Sequence, residues 1–202
     1  GDHQSCLDAC AAIEALLPKL DAVIFEDYGK GFLGQELKDR VTQMAHQAGK
    51  YLSADPNPTN PLDWHGVDLL KPNRSEAFAM AGLQDPGAAE NPLNDLTLLE
   101  TGSILLKKWD LASLLVTLGE HGMILFRRGA EPYHTPTRAR EVFDVSGAGD
   151  TAIALYTLAI CAGATPAEAA EISNYASGVV VAKLGTATLT AQELIAAFHN
   201  HG

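Results

Sequence analysis

The chain has 202 residues, enough for one well-buried core, and sets 25 acids against 14 bases for a net charge of −11. That balance argues against a nucleic-acid or membrane-surface partner, so an anionic substrate has to meet local positive groups or backbone amides. Cys6, Cys10 and Cys161 form no CxxC pair and are odd in number, which reads as reduced thiols of a cytoplasmic protein; no apolar run reaches ~18 residues and no basic segment precedes an apolar one, so neither a membrane span nor a signal peptide is expected.

Leu7, Ala11, Ala15 and Leu16 mark a helical face within 5–20. Residues 22–25 form a short buried strand bounded by acids. The loop 26–34 leads to a helix over 35–48, which Gly49 stops at its C′ position. A strand over 51–54 ends at Asp55-Pro56, and 57–61 is a proline-bearing loop. A strand over 67–70 ends at Lys71-Pro72-Asn73. The helix 74–81 stops at Gly82, 84–92 is a loop, and 95–108 is helical. Strands over 113–118 and 122–126 flank a tight turn. Residues 131–143 read as short extended pieces, and 151–162 as an apolar helix. Thr165-Pro166-Ala167-Glu168 and Thr190 with Glu193 are capping boxes that start two late helices. Strands alternate with helices and are continuous apolar runs, which predicts an α/β fold with a mostly parallel sheet buried on both faces. No linker or repeat divides the chain, so 1–202 is expected to be one domain.

Asp144-Val145-Ser146-Gly147-Ala148-Gly149-Asp150 is a small-residue turn that feeds the helix after it. Such a turn leaves backbone N–H groups unpaired, with the helix dipole behind them, and so makes an anion site. Gly147 and Gly149 have no Cβ, so a phosphate can reach the backbone. Asp150 falls in the first helical turn. An anion hole beside a carboxylate suits phosphoryl transfer: the amides hold charge on the moving oxygens while the carboxylate accepts the proton of the attacking hydroxyl. The plain alternative is a glycine-rich strand-to-helix turn of the kind many α/β proteins have.

Further constellations stand beside it. Gly29-Lys30-Gly31-Phe32-Leu33-Gly34 formally matches the dinucleotide fingerprint G-x-G-x-x-G, with Asp55 available for a ribose hydroxyl, although Asp27 and Pro56 weaken that fit. Asn73 and Glu76 lie about one helical turn apart at a strand end. Glu76 can hold a hydrated Mg²⁺ while Asn73 meets a phosphate chain; as a helix cap the same pair also makes sense. Thr117, Gly119 and Gly122 span a tight turn. Around Asn174, the small residues Ala176, Ser177 and Gly178 would let a purine ring approach or would serve helix packing. There is no G-x-x-x-x-G-K-[ST], no H-E-x-x-H and no G-x-S-x-G, and His121 and His134 read as ordinary surface or loop histidines.

The stretch DVSGAGDT from Asp144 to Thr151 resembles the C-terminal signature of the ribokinase-like (PfkB) sugar kinases. The resemblance implies a ribokinase-like three-layer sandwich and ATP-dependent phosphorylation of a sugar or sugar-phosphate hydroxyl. It makes Asp150 the catalytic base and Gly147, Ala148 and Gly149 the anion hole. Asn73, Arg74, Ser75, Glu76, Thr117, Gly119, Gly122 and Asn174 become ATP-binding residues. Glu76 holds Mg²⁺ through water, and Asp144 and Ser146 hold a monovalent cation, K⁺. Asp27-Tyr28-Gly29-Lys30-Gly31 and Val181 to Thr186 are similar to segments of bacterial heptose 7-phosphate kinases. That places Asp27 and Lys30 on the substrate side and implies D-glycero-D-manno-heptose 7-phosphate, phosphorylated at C1 for ADP-heptose and lipopolysaccharide core synthesis, in a cytoplasmic homodimer. There are departures. Leu155 stands where many members have a small residue, and Asp55-Pro56-Asn57 stands where the heptose kinases often have Asp-Pro-Lys. The expected N-terminal βαβ start and Gly-Gly sugar motif are not found, so Gly1 is expected to begin part-way through the fold. The rival expectations are an NAD-dependent oxidoreductase using Gly29 to Gly34 and a non-catalytic nucleotide-binding member or fragment.

Overall fold

A computed structural model of the chain describes residues 3–138, 145, 147–183, 185 and 187–199. Six strands form one sheet in sequential order: β1 (Ala22–Glu26), β2 (Tyr51–Asp55), β3 (Leu69–Leu70), β4 (Ser113–Thr117), β5 (Met123–Arg127) and β6 (Tyr133–Thr135). β1 to β4 are parallel, and β5 and β6 join antiparallel. The expected mostly parallel α/β sheet is therefore present.

Helices cover both faces, which is why the strands read as continuous apolar runs. On one face α2 (Gln35–Gln47), α3 (Arg74–Ala81) and α4 (Leu96–Lys108) contribute Leu37, Val41, Phe78, Leu98 and Leu105 to a core with Phe25, Leu52, Leu70, Leu114 and Phe126 of the sheet. On the other, α5 (Ala148–Cys161) and α6 (Pro166–Val181) pack Ala152, Ile153, Tyr156, Ala169 and Ala170 on Leu69, Leu115, Met123 and Leu125. This is a three-layer arrangement. α1 (His3–Leu16) lies against α2, and α7 (Ala191–His199) against α6.

Local signals explain the element ends. Asn73 and Glu76 form a reciprocal capping box on α3, which ends at left-handed Gly82. Thr165 and Glu168 do the same for α6. Thr190 and Glu193 make the matching contacts ahead of α7. Three expectations shift. α1 ends at Leu16 because Pro18 opens a 3₁₀ turn over Leu17–Lys19. The strand expected over 67–70 shortens to β3, since the Val67 N–H donates to Trp64 O in a turn. α5 starts at Ala148, three residues before the apolar run suggested. Gly122 reverses the chain between β4 and β5 at φ 83°, and a Cβ there would sit 2.1 Å from the carbonyl oxygen of Thr135.

Candidate active site

Side chains alternate between the faces of a strand, and parallel partners in register share a face. Ile24, Ser53, Leu69 and Ser113 form one cross-strand row. That row faces α5, as the 2.7 Å hydrogen bond between Ser53 Oγ and Thr157 Oγ1 requires. Two residues further toward the strand ends, the same face carries Glu26, Asp55 and Lys71. The chain thus turns its apolar α5 face into a polar edge where the parallel strands end, the edge at which open α/β sheets bind ligands.

The N-terminus of α5 sits over this edge. Gly147 is its N-cap in the left-handed conformation, and Asp150 is exposed in the first turn. The carboxylate oxygens of Glu26, Asp55 and Asp150 lie within 4.8 Å of one another. The Lys71 Nζ lies 2.9 Å from Asp55 Oδ2, the nearest counter-charge to the trio. The Tyr28 hydroxyl donates to Asp150 Oδ2 at 3.4 Å. A Cβ at position 149 would lie 3.3 Å from the Lys71 Nζ and 3.8 Å from Asp55 Oδ2, so glycine there lets the helix backbone approach the charged row.

Crowding of like charge shows in the proton affinities. Burial first, then the charges of Asp55 and Asp150, raise Glu26 to about 7, with Lys71 opposing. Burial likewise pushes Asp55 up to about 6 against the pull of Lys71. The Tyr28 hydroxyl is raised, chiefly by Asp150.

Of the three amides expected to form an anion hole, one has a partner within the chain. The Ala148 N–H donates to Val145 O at 3.2 Å and is spent in the turn. Among the described residues, the N–H groups of Gly147 and Gly149 meet no acceptor. Asp144 and Ser146, expected at a monovalent cation, lie outside the described residues, as does Thr186.

The other expected residues divide. Asn73 and Glu76 stand at the next strand end, and an isolated parallel bridge joins Asn73 to Thr117. Glu76 Oε2 accepts the Asn73 N–H at 2.8 Å, so one carboxylate oxygen serves the cap. Ser75 is exposed. Arg74 points into the fold's own acids, donating to Asp85 and Asp95 at 2.7 to 2.8 Å. Gly119 opens the 3₁₀ turn Gly119–His121 that leads to Gly122. Asn174 is buried, and its amide donates to Thr135 Oγ1 at 2.9 Å and Pro136 O at 2.6 Å, which ties α6 to β6. Asp27 is also turned inward. Its carboxylate accepts from the Gly29 N–H at 2.9 Å and the Asn60 amide at 2.8 Å, which fixes the loop ahead of α2. Lys30 is exposed in that loop.

Sequence reasoning missed Glu26, Tyr28 and Lys71 as members of the site. The signal available was position: Glu26, Asp55 and Lys71 are each the first charged residue after a short, mainly apolar run, 22–25, 51–54 and 69–70.

Comparison with known proteins adds four similarities. The model of the family described as pfkB family carbohydrate kinase matches residues 8–193. The bifunctional protein HldE of Vibrio cholerae O395 is 44% identical over 187 residues, covering 93% of this chain and 37% of that protein. Among solved structures, Arabidopsis thaliana ribokinase complexed with ribose and ATP superposes with a TM-score of 0.76 at 19% identity, over 92% of this chain and 58% of that one. Escherichia coli phosphofructokinase-2 in complex with potassium gives 0.76 at 14% identity, over 96% and 62%. The chain spans a little over a third of the length of the curated relatives it matches.

Proposed function

Because the chain belongs to the pfkB family of carbohydrate kinases, we propose that it forms the kinase part of a protein that transfers the terminal phosphoryl group of ATP to C1 of D-glycero-D-manno-heptose 7-phosphate. The observation that carries this reading is the pairing of an exposed carboxylate, Asp150, with the amides of Gly147 and Gly149, which meet no acceptor among the described residues, in one helical turn. The choice of acceptor follows from the likeness of Asp27 to Gly31 to heptose kinases and from the 44% identity to HldE.

In this reading Asp150 accepts the proton of the sugar hydroxyl as the oxygen attacks. The amides of Gly147 and Gly149 hold the oxygens of the transferring group, and the α5 dipole adds to their pull. In the same reading Lys30, exposed in the loop after β1, meets the acceptor's own phosphate. Asn73 and Glu76 serve the nucleotide side. Glu76 keeps one carboxylate oxygen outside the capping box, which fits a carboxylate that would hold Mg²⁺ through water; when bound, that ion neutralises phosphate charge. The cation in the phosphofructokinase-2 structure supports the same K⁺ expectation here.

The oxidoreductase reading is dropped. Asp55 is committed to Lys71, and the Asp27 carboxylate fills the turn that a pyrophosphate would need. The test uses the complete gene product with ATP–Mg²⁺ and a panel of sugar phosphates, followed by ³¹P NMR. A new anomeric phosphate on heptose 7-phosphate is expected. Nucleotide binding without turnover on any acceptor would favour the non-catalytic alternative.

A further inference from the structure

A lysine ammonium removed from water needs an anion in contact with it, and its field reaches every carboxylate nearby. Lys71 is 2% exposed, and its Nζ lies 2.9 Å from Asp55 Oδ2. Its backbone N–H donates to Ala54 O at 2.9 Å, which fixes the root of the side chain. The ammonium lies directly under the first turn of α5, 3.3 Å from where a Cβ of residue 149 would be. One buried cation therefore faces three carboxylates, Glu26, Asp55 and Asp150, that share a space 4.8 Å across.

We propose that Lys71 is a positioning residue for phosphoryl transfer: its buried ammonium balances the charge of Glu26 and Asp55 and thereby keeps Asp150 ionised at the mouth of the amide hole. The consequence for catalysis rests on the kinase reading; the charge balance does not. The groups that face Asp150 are Glu26 from β1, Tyr28 from the loop after it and Asp55 from β2, with Lys71 after β3 held on Asp55 and Glu76 of α3 acting on Asp55 in turn. Without Lys71 the carboxylates would face one another unopposed, and the cluster would take up proton beyond the share that Glu26 already carries at neutral pH. A base that already carries a proton cannot take one from a sugar.

The experiment is Lys71→Met in the complete gene product, read two ways. Carbon-detected NMR of the aspartate carboxyls follows Asp150 through its titration, and the pH profile of kcat/KM for ATP follows the base in action. In K71M, the Asp150 titration and the acid limb of the profile both move up by about one pH unit or more. Lys71→Arg stays near the wild type. The double variant D55N/K71M removes one charge of each sign and returns toward it. An Asp150 titration unmoved in K71M overturns the proposal, whatever happens to the rate. If K71M does not fold, Asp55→Asn alone decides: with the cation kept and one acid gone, Asp150 titrates at lower pH, and an unmoved titration overturns the proposal equally. The NMR arm decides even if the protein phosphorylates no sugar, so a failure of the kinase reading is told apart from a failure of this one.

Discussion

Glu26 and Asp55 end adjacent parallel strands in register and on the same face, so their carboxyl groups are neighbours by construction of the sheet. Burial first, then the neighbouring charges of Asp55 and Asp150, raises Glu26 to about 7 from an ordinary 4.5. A group raised in the folded state contributes stability that is complete below its unfolded value and is lost as pH rises through its folded one. Glu26→Gln removes the anion and keeps the shape. At pH 8 the variant should be more stable than the wild type by on the order of 1 kcal/mol, a figure reduced because Glu26 is half exposed and water screens it. Near pH 4.5 the two should converge. Urea unfolding at both values measures this, and a difference that does not change with pH would remove the account of Glu26 as a carboxyl raised by folding.

Asp150→Asn keeps the size of the side chain and removes the carboxylate proposed as the base. Transfer to the sugar phosphate should fall by about 10² to 10⁴-fold while ATP binding, read by calorimetry, is retained. Turnover near the wild-type level would reassign the base.

Glu76 is asked to do two things, and Glu76→Gln separates them. Glutamine still accepts the Asn73 N–H, so the melting temperature should hold. The Mg²⁺ concentration for half-maximal rate should rise. A variant that melts lower and needs no more Mg²⁺ would leave Glu76 as a helix cap alone.

Asn174→Ala deletes a buried hydrogen bond to Thr135 and a part-buried one to Pro136, and should cost about 1–3 kcal/mol of stability. An unchanged melting curve with weakened ATP affinity would instead return Asn174 to the nucleotide site.

Gly122→Ala should be among the more damaging single changes to the sheet. The added methyl meets the Thr135 carbonyl in a backbone conformation that alanine rarely adopts, and a loss of about 2 kcal/mol or more is expected from thermal unfolding.

Much of this architecture was legible in the chain. The start and stop of α3 could be read from Asn73, Glu76 and Gly82, because caps are local chemistry. The parallel sheet followed from apolar runs between helices. The turn at Gly147 to Asp150 was readable for the same reason: glycine and aspartate before an apolar helix carry their meaning within a few residues. What stayed hidden depends on pairing at a distance. Lys71 meets Asp55 across a strand register, Arg74 finds Asp85 and Asp95 by folding back on them, and Asn174 turns toward β6 rather than outward. Composition and spacing do not carry the register of one strand against the next, nor the rotation of α6 about its axis. One motif therefore divided into residues at the strand ends, such as Asn73 and Glu76, and residues such as Arg74 that brace the scaffold.

Asp150 rides on a helix whose next turns, Ala152, Ile153 and Tyr156, are fully sealed against the sheet. A helix clamped in this way cannot slide or roll without breaking its packing. On the role proposed for Asp150, the alcohol must therefore be brought to the carboxylate, and adaptation to a new acceptor has to come from the residues around it while the anchor keeps its place.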